Sequence, residues 1–333
     1  MKKLINTPSR YVDEALAGML AAHGQTFALQ GNSGRVIVRA ERKPPGRVGL
    51  VTGDGFGHLP LFAGYVGPGL LDACAVGEVF AGPSMDCVSE ALTAADSGAG
   101  VLSIIGNYGG DRMVFTMAAQ QRRAAGMAVE TVIGNDDIAS AIETERASRR
   151  GVAGLVFAFK VAGAAAEAGF SLEHCRVVTE RMVENCRTIG IALAPCILPA
   201  RGKATFEIED GTIEMGMGIH GEQGVWRGPL KQADALVDEM LERLTAELPI
   251  GSGSRVAVLC NSLGATPLEE LYILYRRVAA VLSGRGATIV LPLVGHYVTS
   301  MEMAGASISI AMLDQELESL LIAPTASPFW RTS

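Results

Sequence analysis

The chain has 333 residues, 49% of them hydrophobic and 19% charged, which is enough for two domains, or one large one, with a substantial core. Its net charge is −7 without a basic block, which argues against a nucleic-acid surface. No apolar run approaches the roughly 18 residues of a membrane span. Polar residues follow the first two lysines where an export signal needs an apolar segment, so we expect a cytoplasmic protein without a membrane partner.

Short β-branched runs alternate with helical patterns along the whole chain, which is typical of an α/β protein. In chain order the patterns predict a helix at 11–22, strands at 35–39 and 47–52, a helix at 84–95, a strand at 101–105, a helix at 111–125, a strand at 128–133, a helix at 171–187, a strand at 191–198, a helix at 232–248, a strand at 255–260, a helix at 267–282 and a strand at 287–294. We therefore predict two α/β lobes, 1–187 and 188–333, with largely parallel or mixed sheets and a substrate cleft.

The first candidate site is the stretch GDGFGHLP at 53–60, which leaves the strand predicted at 47–52. It lacks the Lys and Ser/Thr of a Walker A loop, and its third glycine comes one residue too early for the dinucleotide fingerprint. Gly55 and Gly57 permit positive φ and leave main-chain N–H groups uncovered for a small polar ligand. His58 would bring a titratable ring to that ligand. The alternative is a glycine turn with a surface histidine.

The second candidate is the loop GNYGGD at 106–111, which follows the strand predicted at 101–105. The simpler interpretation of Asp111 is an N-cap of the next helix. In a parallel sheet, however, this loop leaves the same edge as the first one, which places Asp111 near His58. Such a carboxylate would orient the histidine, raise its pKa, or accept the proton of a substrate hydroxyl.

The third candidate is the glycine-rich stretch GMGIHGEQG, which contains His220. A His-x-Glu sequence can begin a zinc-deaminase signature, but Pro199 stands where P-C-x-x-C needs its second cysteine, and this stretch precedes the histidine. A neutral histidine is also a nucleophile toward carbonyl groups.

The remaining polar residues have simpler interpretations. Asp136 and Asp137 in the GNDDIA loop are typical of a capped helix start rather than an acid/base dyad. His296 and Tyr297 follow a strand. A position in the core or at an interface is the preferred interpretation, and lining a pocket is the alternative. The six cysteines are scattered without CxxC pairs, which predicts buried thiols and no metal site.

Taken together, these stretches resemble the dihydroxyacetone kinase family, specifically its substrate-binding K subunit. The resemblance spans nearly the whole chain, through MKKLIN, GYVGPGLLDACAVGEVFAGPS, NYGGD, FKVAGAAAEAG, IALAPCILP, GMGIHGEQG, NSLGATPLEELYILY and VGHYVTSMEMAGASISI. It implies a homodimer of two-lobed α/β subunits that holds dihydroxyacetone or another short ketose and takes part in carbohydrate and glycerol metabolism.

The resemblance also implies residue roles. His220 would bond to the carbonyl carbon of the ketose as a hemiaminal, and His58 and Asp111 would act on the hydroxyl that receives the phosphoryl group. Gly55 and Gly57 match backbone positions around the substrate. Covalent capture would distinguish a ketone from glycerol, which has no carbonyl group.

We expect no cofactor on this chain, because it contains no nucleotide loop and leaves no room for the helical nucleotide-binding domain of single-chain family members. ATP or ADP with Mg²⁺ is expected on a separate nucleotide-binding L-type subunit. That subunit would use ATP directly or be recharged by a phosphoenolpyruvate-dependent phosphotransfer protein.

Several residues depart from the family pattern. Asp54, Phe56 and Leu59 replace a glycine, a serine and a glutamate of the usual GGGSGHEP. Gly106 stands where phosphotransferase-dependent members can have a lysine that touches the substrate. Phe56 and Gly106 would reshape the pocket, so dihydroxyacetone is the default substrate and another short ketose such as erythrulose the variant. A non-catalytic ketose sensor that activates a transcription regulator is the alternative.

Overall fold

The structure is a computed structural model that describes residues 2–332, so residues 1 and 333, the outer ends of the two predicted lobes, lie outside it. The strands are β1 Phe27–Gln30, β2 Val36–Arg39, β3 Gly49–Phe56, β4 Ala73–Val79, β5 Val101–Gly106, β6 Val129–Gly134, β7 Cys186–Ala194, β8 Thr212–Met215, β9 Trp226–Pro229, β10 Arg255–Ser262, β11 Thr288–Gly295, β12 Ala304–Met312, β13 Thr325–Ala326 and β14 Arg331–Thr332. The helices are α1 Tyr11–His23, α2 Met85–Ala95, α3 Gly109–Ala124, α4 Leu155–Ala168, α5 Leu172–Glu184, α6 Ala233–Glu247, α7 Leu268–Gly284 and α8 Gln315–Ile322, with 3₁₀ turns at Pro8–Arg10, Ala63–Tyr65 and Glu143–Ser148. Within residues 2–332, none of these helices has both the length and the apolar character that crossing a bilayer requires.

Two six-stranded sheets organise the described residues. The first has the order β1-β2-β4-β3-β5-β6, in which β4, β3, β5 and β6 run parallel and the first two strands pair antiparallel. The second has the order β11-β10-β12-β7-β8-β9, in which β10 and β11 pair in parallel and the other neighbours are antiparallel. The predicted fold of two α/β lobes with largely parallel or mixed sheets is confirmed.

The predicted division between residues 187 and 188 stays a prediction. It falls inside β7, which belongs to the second sheet. After that sheet the chain returns to the first lobe, where Leu317 and Trp330 lie in the same buried cluster as Tyr65 and the apolar side chains of α4.

All six predicted helices and all seven predicted strands are present, with two changes of boundary that matter. Helix α3 begins at Gly109 rather than at 111, and β7 begins at Cys186, five residues before the run predicted at 191–198. The pattern missed α4 because twelve of its fourteen residues are buried, which leaves no amphipathic stripe to detect. It missed β4 and β12 because both are rich in alanine and glycine, which are depleted in strands.

The register of the first sheet positions the site. β3 pairs in parallel with β5 through Gly49 opposite Val101 and Val51 opposite Ser103. The predicted loop at 53–60 begins inside β3, which continues to Phe56. The carboxyl ends of β3 and β5 lie at one edge of the sheet, and the segments that start at Gly57 and Asn107 leave from that edge. The second lobe meets the first loop directly, since the N–H of Met301 donates to the carbonyl oxygen of Gly57 at 2.7 Å.

Candidate functional site

His58 is buried just past the end of β3, and the second lobe holds its ring. Its Nδ1 lies 2.8 Å from the carbonyl oxygen of Thr299. Because a carbonyl only accepts, Nδ1 carries the proton of the neutral ring and Nε2 keeps a lone pair. Burial, together with the charge of His220, lowers the pKa of His58 to about 3, so the ring is neutral near pH 7. Nε2 is buried without a hydrogen-bond partner, so it is free to accept from a ligand hydroxyl.

His220 lies in a turn of the second lobe and faces His58. The two rings meet edge to face with centroids 4.8 Å apart. Glu222 holds His220 twice, through Oε1 at 3.0 Å from Nδ1 and through Oε2, which accepts the main-chain N–H at 2.9 Å. Burial disfavours the charged ring, but the hydrogen bond and charge of Glu222 outweigh it and raise the pKa of His220. With its proton on Nδ1, the neutral ring presents Nε2 as the nucleophilic nitrogen.

Glu222 is itself supported by a charge network. Arg150 places Nη1 at 3.8 Å from Oε2 of Glu222, and its guanidinium also pairs with Asp137 at 2.7 Å. Burial alone would raise the pKa of Glu222, but the hydrogen bond and charge of His220, with the charge of Arg150, lower it to about 2. Glu222 is therefore ionised and available to stabilise positive charge on His220. The sequence prediction did not assign a role to Glu222 or Arg150, although the HGE motif contained the first of them.

Asp111 is the third residue of α3, and the N-cap interpretation is wrong because Tyr108 occupies that position. The helix starts two residues early, at Gly109, which moves the carboxylate into the first turn. Oδ1 of Asp111 is buried without a partner. Burial, reinforced by the charge of Asp54, raises the pKa of Asp111 to about 7. Asp111 neither hydrogen-bonds to His58 nor raises its pKa, so these two of its three predicted roles are not seen in the structure.

The glycine loop differs in part from the prediction. Gly57 has a φ of +112°, as expected, whereas Gly55 has no positive φ. Gly55 is needed for a different reason, since a Cβ there would lie 2.5 Å from the main-chain nitrogen of Ala81. The expectation of an uncovered N–H is wrong at Gly55, because this N–H donates to Oδ1 of Asp54 at 2.5 Å.

Two aromatic rings enclose the histidine pair. Phe80 stacks on His58 with a centroid distance of 4.8 Å and meets His220 edge-on at 5.3 Å. Tyr108 meets His220 edge-on at 4.7 Å, and its hydroxyl is buried without a partner. Neither ring was predicted, since each comes from a loop whose direction depends on the assembled sheet.

The two departures that were expected to reshape the pocket have specific effects. A Cβ at Gly106 would lie 2.9 Å from the ring of Tyr108, so this ring fills the space beside Gly106. Phe56 is buried in the core, where it packs edge to face against Tyr11 at 6.2 Å. Its ring also borders a small cavity of about 10 Å³, which Asp54 and His58 help to line.

The other sequence candidates have structural roles. Asp136 accepts the N–H groups of Val152 and Gly154 at 2.9 and 2.7 Å, just before α4, and is not part of an acid/base dyad. His296 is exposed, and Tyr297 packs against the core. All six cysteines are buried free thiols, as predicted. Among the described residues, no group of three His, Cys, Asp or Glu side chains is arranged to hold a metal ion.

Unpartnered polar atoms concentrate at this site. Within residues 2–332, nine buried side-chain nitrogen or oxygen atoms lack a hydrogen-bond partner. Four of these atoms belong to residues around His220: Oδ2 of Asp54, Nε2 of His58, the hydroxyl of Tyr108 and Oδ1 of Asp111. Because buried polar groups are normally paired, this concentration indicates where a polar ligand or ordered water would bind.

The fold and the site define a two-lobed α/β subunit with a paired-histidine site where the lobes meet. The Dak1 domain matches residues 17–329, so the chain belongs to the Dak1 family, and the predicted resemblance to dihydroxyacetone kinases is confirmed.

Relatives agree with this assignment. The chain is 43% identical over 331 residues to the dihydroxyacetone-binding subunit DhaK of the PTS-dependent dihydroxyacetone kinase 2 of Listeria innocua serovar 6a, covering 99% of each chain. It is 41% identical to the L-erythrulose kinase of Pectobacterium atrosepticum, over 99% of this chain and 56% of that protein. The crystal structure of the C. freundii dihydroxyacetone kinase in its native form matches with a TM-score of 0.91 and 32% identity. That match covers 99% of this chain and 60% of the kinase, so the chain spans about three fifths of its length.

Proposed function

We propose that this chain is the ketose-binding subunit of a dihydroxyacetone kinase-type phosphotransferase. The family match and the relatives named as dihydroxyacetone-binding kinase subunits confirm the prediction of a kinase subunit. The observation that carries the mechanism is that Nε2 of His58 and Oδ1 of Asp111 are both buried and unpartnered, with the His58 ring in contact with His220 and Asp111 within its electrostatic reach.

Capture begins with the neutral ring of His220. Its Nε2 lone pair forms a bond to the carbonyl carbon of the ketose while the C=O π bond opens onto the oxygen. The ionised Glu222 at Nδ1 stabilises the positive charge that develops on the imidazole. The alkoxide takes up one proton from water and the ring releases its Nδ1 proton to water, so that no net proton is consumed and Glu222 stays ionised. The product is a neutral hemiaminal that fixes a very small substrate in one orientation.

The two remaining groups divide the work on the hydroxyl to be phosphorylated. His58, with a pKa near 3, is too weak a base to remove the proton, and its Nε2 accepts the hydrogen bond of the hydroxyl while the substrate binds. When the phosphoryl group arrives, the hydroxyl turns the same proton to Asp111, whose pKa near 7 matches the requirement for a general base at neutral pH.

The phosphoryl donor reaches Asp111 from outside the first lobe. An open depression of about 500 Å³ is lined by Ser33, Arg35, Gly82 and Pro83, among others. A Cβ at Gly82 would clash with Oδ1 of Asp111, so the depression adjoins the proposed base. We assign the donor to a separate L-type subunit with ATP or ADP and Mg²⁺, which either uses ATP directly or is recharged by a phosphoenolpyruvate-dependent phosphotransfer protein. The Listeria relative is named as part of a PTS-dependent kinase, which favours recharging. The proposal includes a cytoplasmic homodimer.

Retention of the proton acceptors favours catalysis over the sensor alternative. A ketose sensor needs His220 for capture but has no use for an unpartnered Asp111 whose raised pKa suits a base near pH 7.

Intact-mass measurement tests the capture step. Incubation with dihydroxyacetone should add the full mass of one ketose without loss of water, and glycerol should add nothing. His220→Ala should abolish the adduct, while His296→Ala, at an exposed histidine, should retain it. An adduct that persists in His220→Ala, or no adduct with any short ketose, would refute the proposal. An adduct that no matching L-type subunit phosphorylates would favour the sensor.

A further inference from the structure

Asp54 is a buried carboxyl in the floor of the site, at a position where the family's usual loop has glycine. It is 4% exposed. Oδ1 accepts the N–H of Gly55 at 2.5 Å, but Oδ2 is buried without a partner. A buried carboxyl oxygen without a partner destabilises the folded chain, so a side chain in this state points to a ligand group that completes it.

Asp54 lies close to the histidine pair. With Gly57 and His58 it lines a small cavity of about 10 Å³, which is roughly the room that one water-sized group needs. Burial raises the pKa of Asp54 to about 6, and the charge of His220 opposes that rise. Asp54 therefore lies within electrostatic reach of the nitrogen that is proposed to capture the ketose.

Asp54 gives the floor of the site a hydrogen-bond acceptor. The N–H of Gly55 already donates to Oδ1 of Asp54, and Oδ2 is the oxygen that is left as an unpaired acceptor. An acceptor discriminates strongly between a ligand that brings an O–H group and one that brings a methyl group, because the methyl group leaves the buried oxygen unpaired.

His58 and Asp111 do not replace this acceptor. Both groups are assigned in succession to the hydroxyl that receives phosphate, so the proposed mechanism leaves neither of them for the other hydroxyl of the ketose. The second hydroxyl of the ketose, on the other side of the carbonyl, has no partner among the residues of the proposed mechanism.

We infer that Asp54 is a specificity-determining residue that accepts a hydrogen bond from the ketose hydroxyl on the non-phosphorylated side of the carbonyl. The substrate class is a short ketose with hydroxyl groups on both sides of the ketone. This inference rests on the proposed capture by His220.

The test compares dihydroxyacetone with hydroxyacetone, in which one of the two hydroxyl groups is absent. Adduct formation is titrated with each ketone by intact mass at pH 8, where Asp54 is ionised. Asp54→Asn keeps an oxygen for the N–H of Gly55 and replaces the free acceptor by an amide donor. The wild-type preference for dihydroxyacetone should fall about 10- to 100-fold in this variant, while hydroxyacetone binding changes little.

Two further variants complete the test. Asp54→Gly, which restores the usual family residue, should lower the preference by a similar factor, and Asp210→Asn, at an exposed aspartate, should leave it unchanged. Thermal unfolding of both Asp54 variants verifies that they are folded at the temperature of the titration. An unchanged preference in Asp54→Asn would overturn the inference while the His220-dependent adduct still stands. Absence of any wild-type adduct would overturn the proposed function, and the inference with it.

Discussion

Replacing Glu222 by glutamine tests how the site activates His220. The substitution keeps the size of the side chain but removes the carboxylate that lies 3.0 Å from Nδ1 of His220. It also removes the charge that Arg150 supports from 3.8 Å. If the carboxylate stabilises the charge that develops on the ring during capture, the rate of adduct formation must fall.

The magnitude follows from the type of hydrogen bond. A hydrogen bond to a charged group contributes about 1.5–3 kcal/mol. Since about 1.4 kcal/mol corresponds to a factor of ten in rate, we expect capture in Glu222→Gln to be about 10- to 100-fold slower at its high-pH plateau.

The pH dependence of the capture rate gives a second and independent test. In the wild type the nucleophilic neutral form of His220 appears only above a raised pKa, because Glu222 favours the charged ring. Without that charge, burial dominates and lowers the pKa of His220, so the midpoint of the pH–rate curve should move to lower pH. The plateau and the midpoint should therefore both decrease.

The assay is the time course of adduct mass with dihydroxyacetone from pH 5.5 to 9. Glu207→Gln, at an exposed glutamate, serves as the matched control and should behave as the wild type. An unchanged plateau and midpoint in Glu222→Gln, in a protein whose adduct still depends on His220, would refute the proposed activation.

Three further predictions concern the base and the packing. Asp111→Asn should keep the adduct but lower phosphoryl transfer about 100- to 10,000-fold. Since the pKa of Asp111 is near 7, the wild-type rate of phosphoryl transfer should rise with pH through that value. If the variant still shows this rise of the rate near pH 7, the role of Asp111 as general base is contradicted. Gly106→Ala should lower the free energy of unfolding by about 1–3 kcal/mol, because its Cβ would lie 2.9 Å from the ring of Tyr108, and an unchanged urea midpoint would contradict this packing. Glu247→Ala should lower the free energy of unfolding by about 3–5 kcal/mol, because Arg149, which is 1% exposed and lies 2.6 Å from the carboxylate of Glu247, is left buried without a charged partner. A loss below about 1 kcal/mol would show that water replaces the carboxylate.

Local sequence determined the elements and the edge of the sheet at which chemistry occurs. The runs that form β3 and β5 are short and apolar, and the strand–helix alternation around them requires parallel pairing. Parallel pairing brings the two loops that follow to one edge, which is why His58 and Asp111 were expected to be neighbours. Buried α4 and the alanine-rich β4 and β12 were missed, because their packing, and not their local pattern, decides their structure.

The tertiary structure decided the chemical state of each group. Thr299 is 241 residues from His58, yet its carbonyl oxygen selects the tautomer that leaves Nε2 free. Likewise Arg150 reaches Glu222 across the two lobes. Periodicity and turn residues specify local conformation, whereas burial and distant partners set which proton each side chain holds. The sequence therefore indicated which residues meet, and only the assembled lobes determined that His58 is neutral, that Asp111 has a pKa near 7 and that Asp54 occupies the N–H of Gly55.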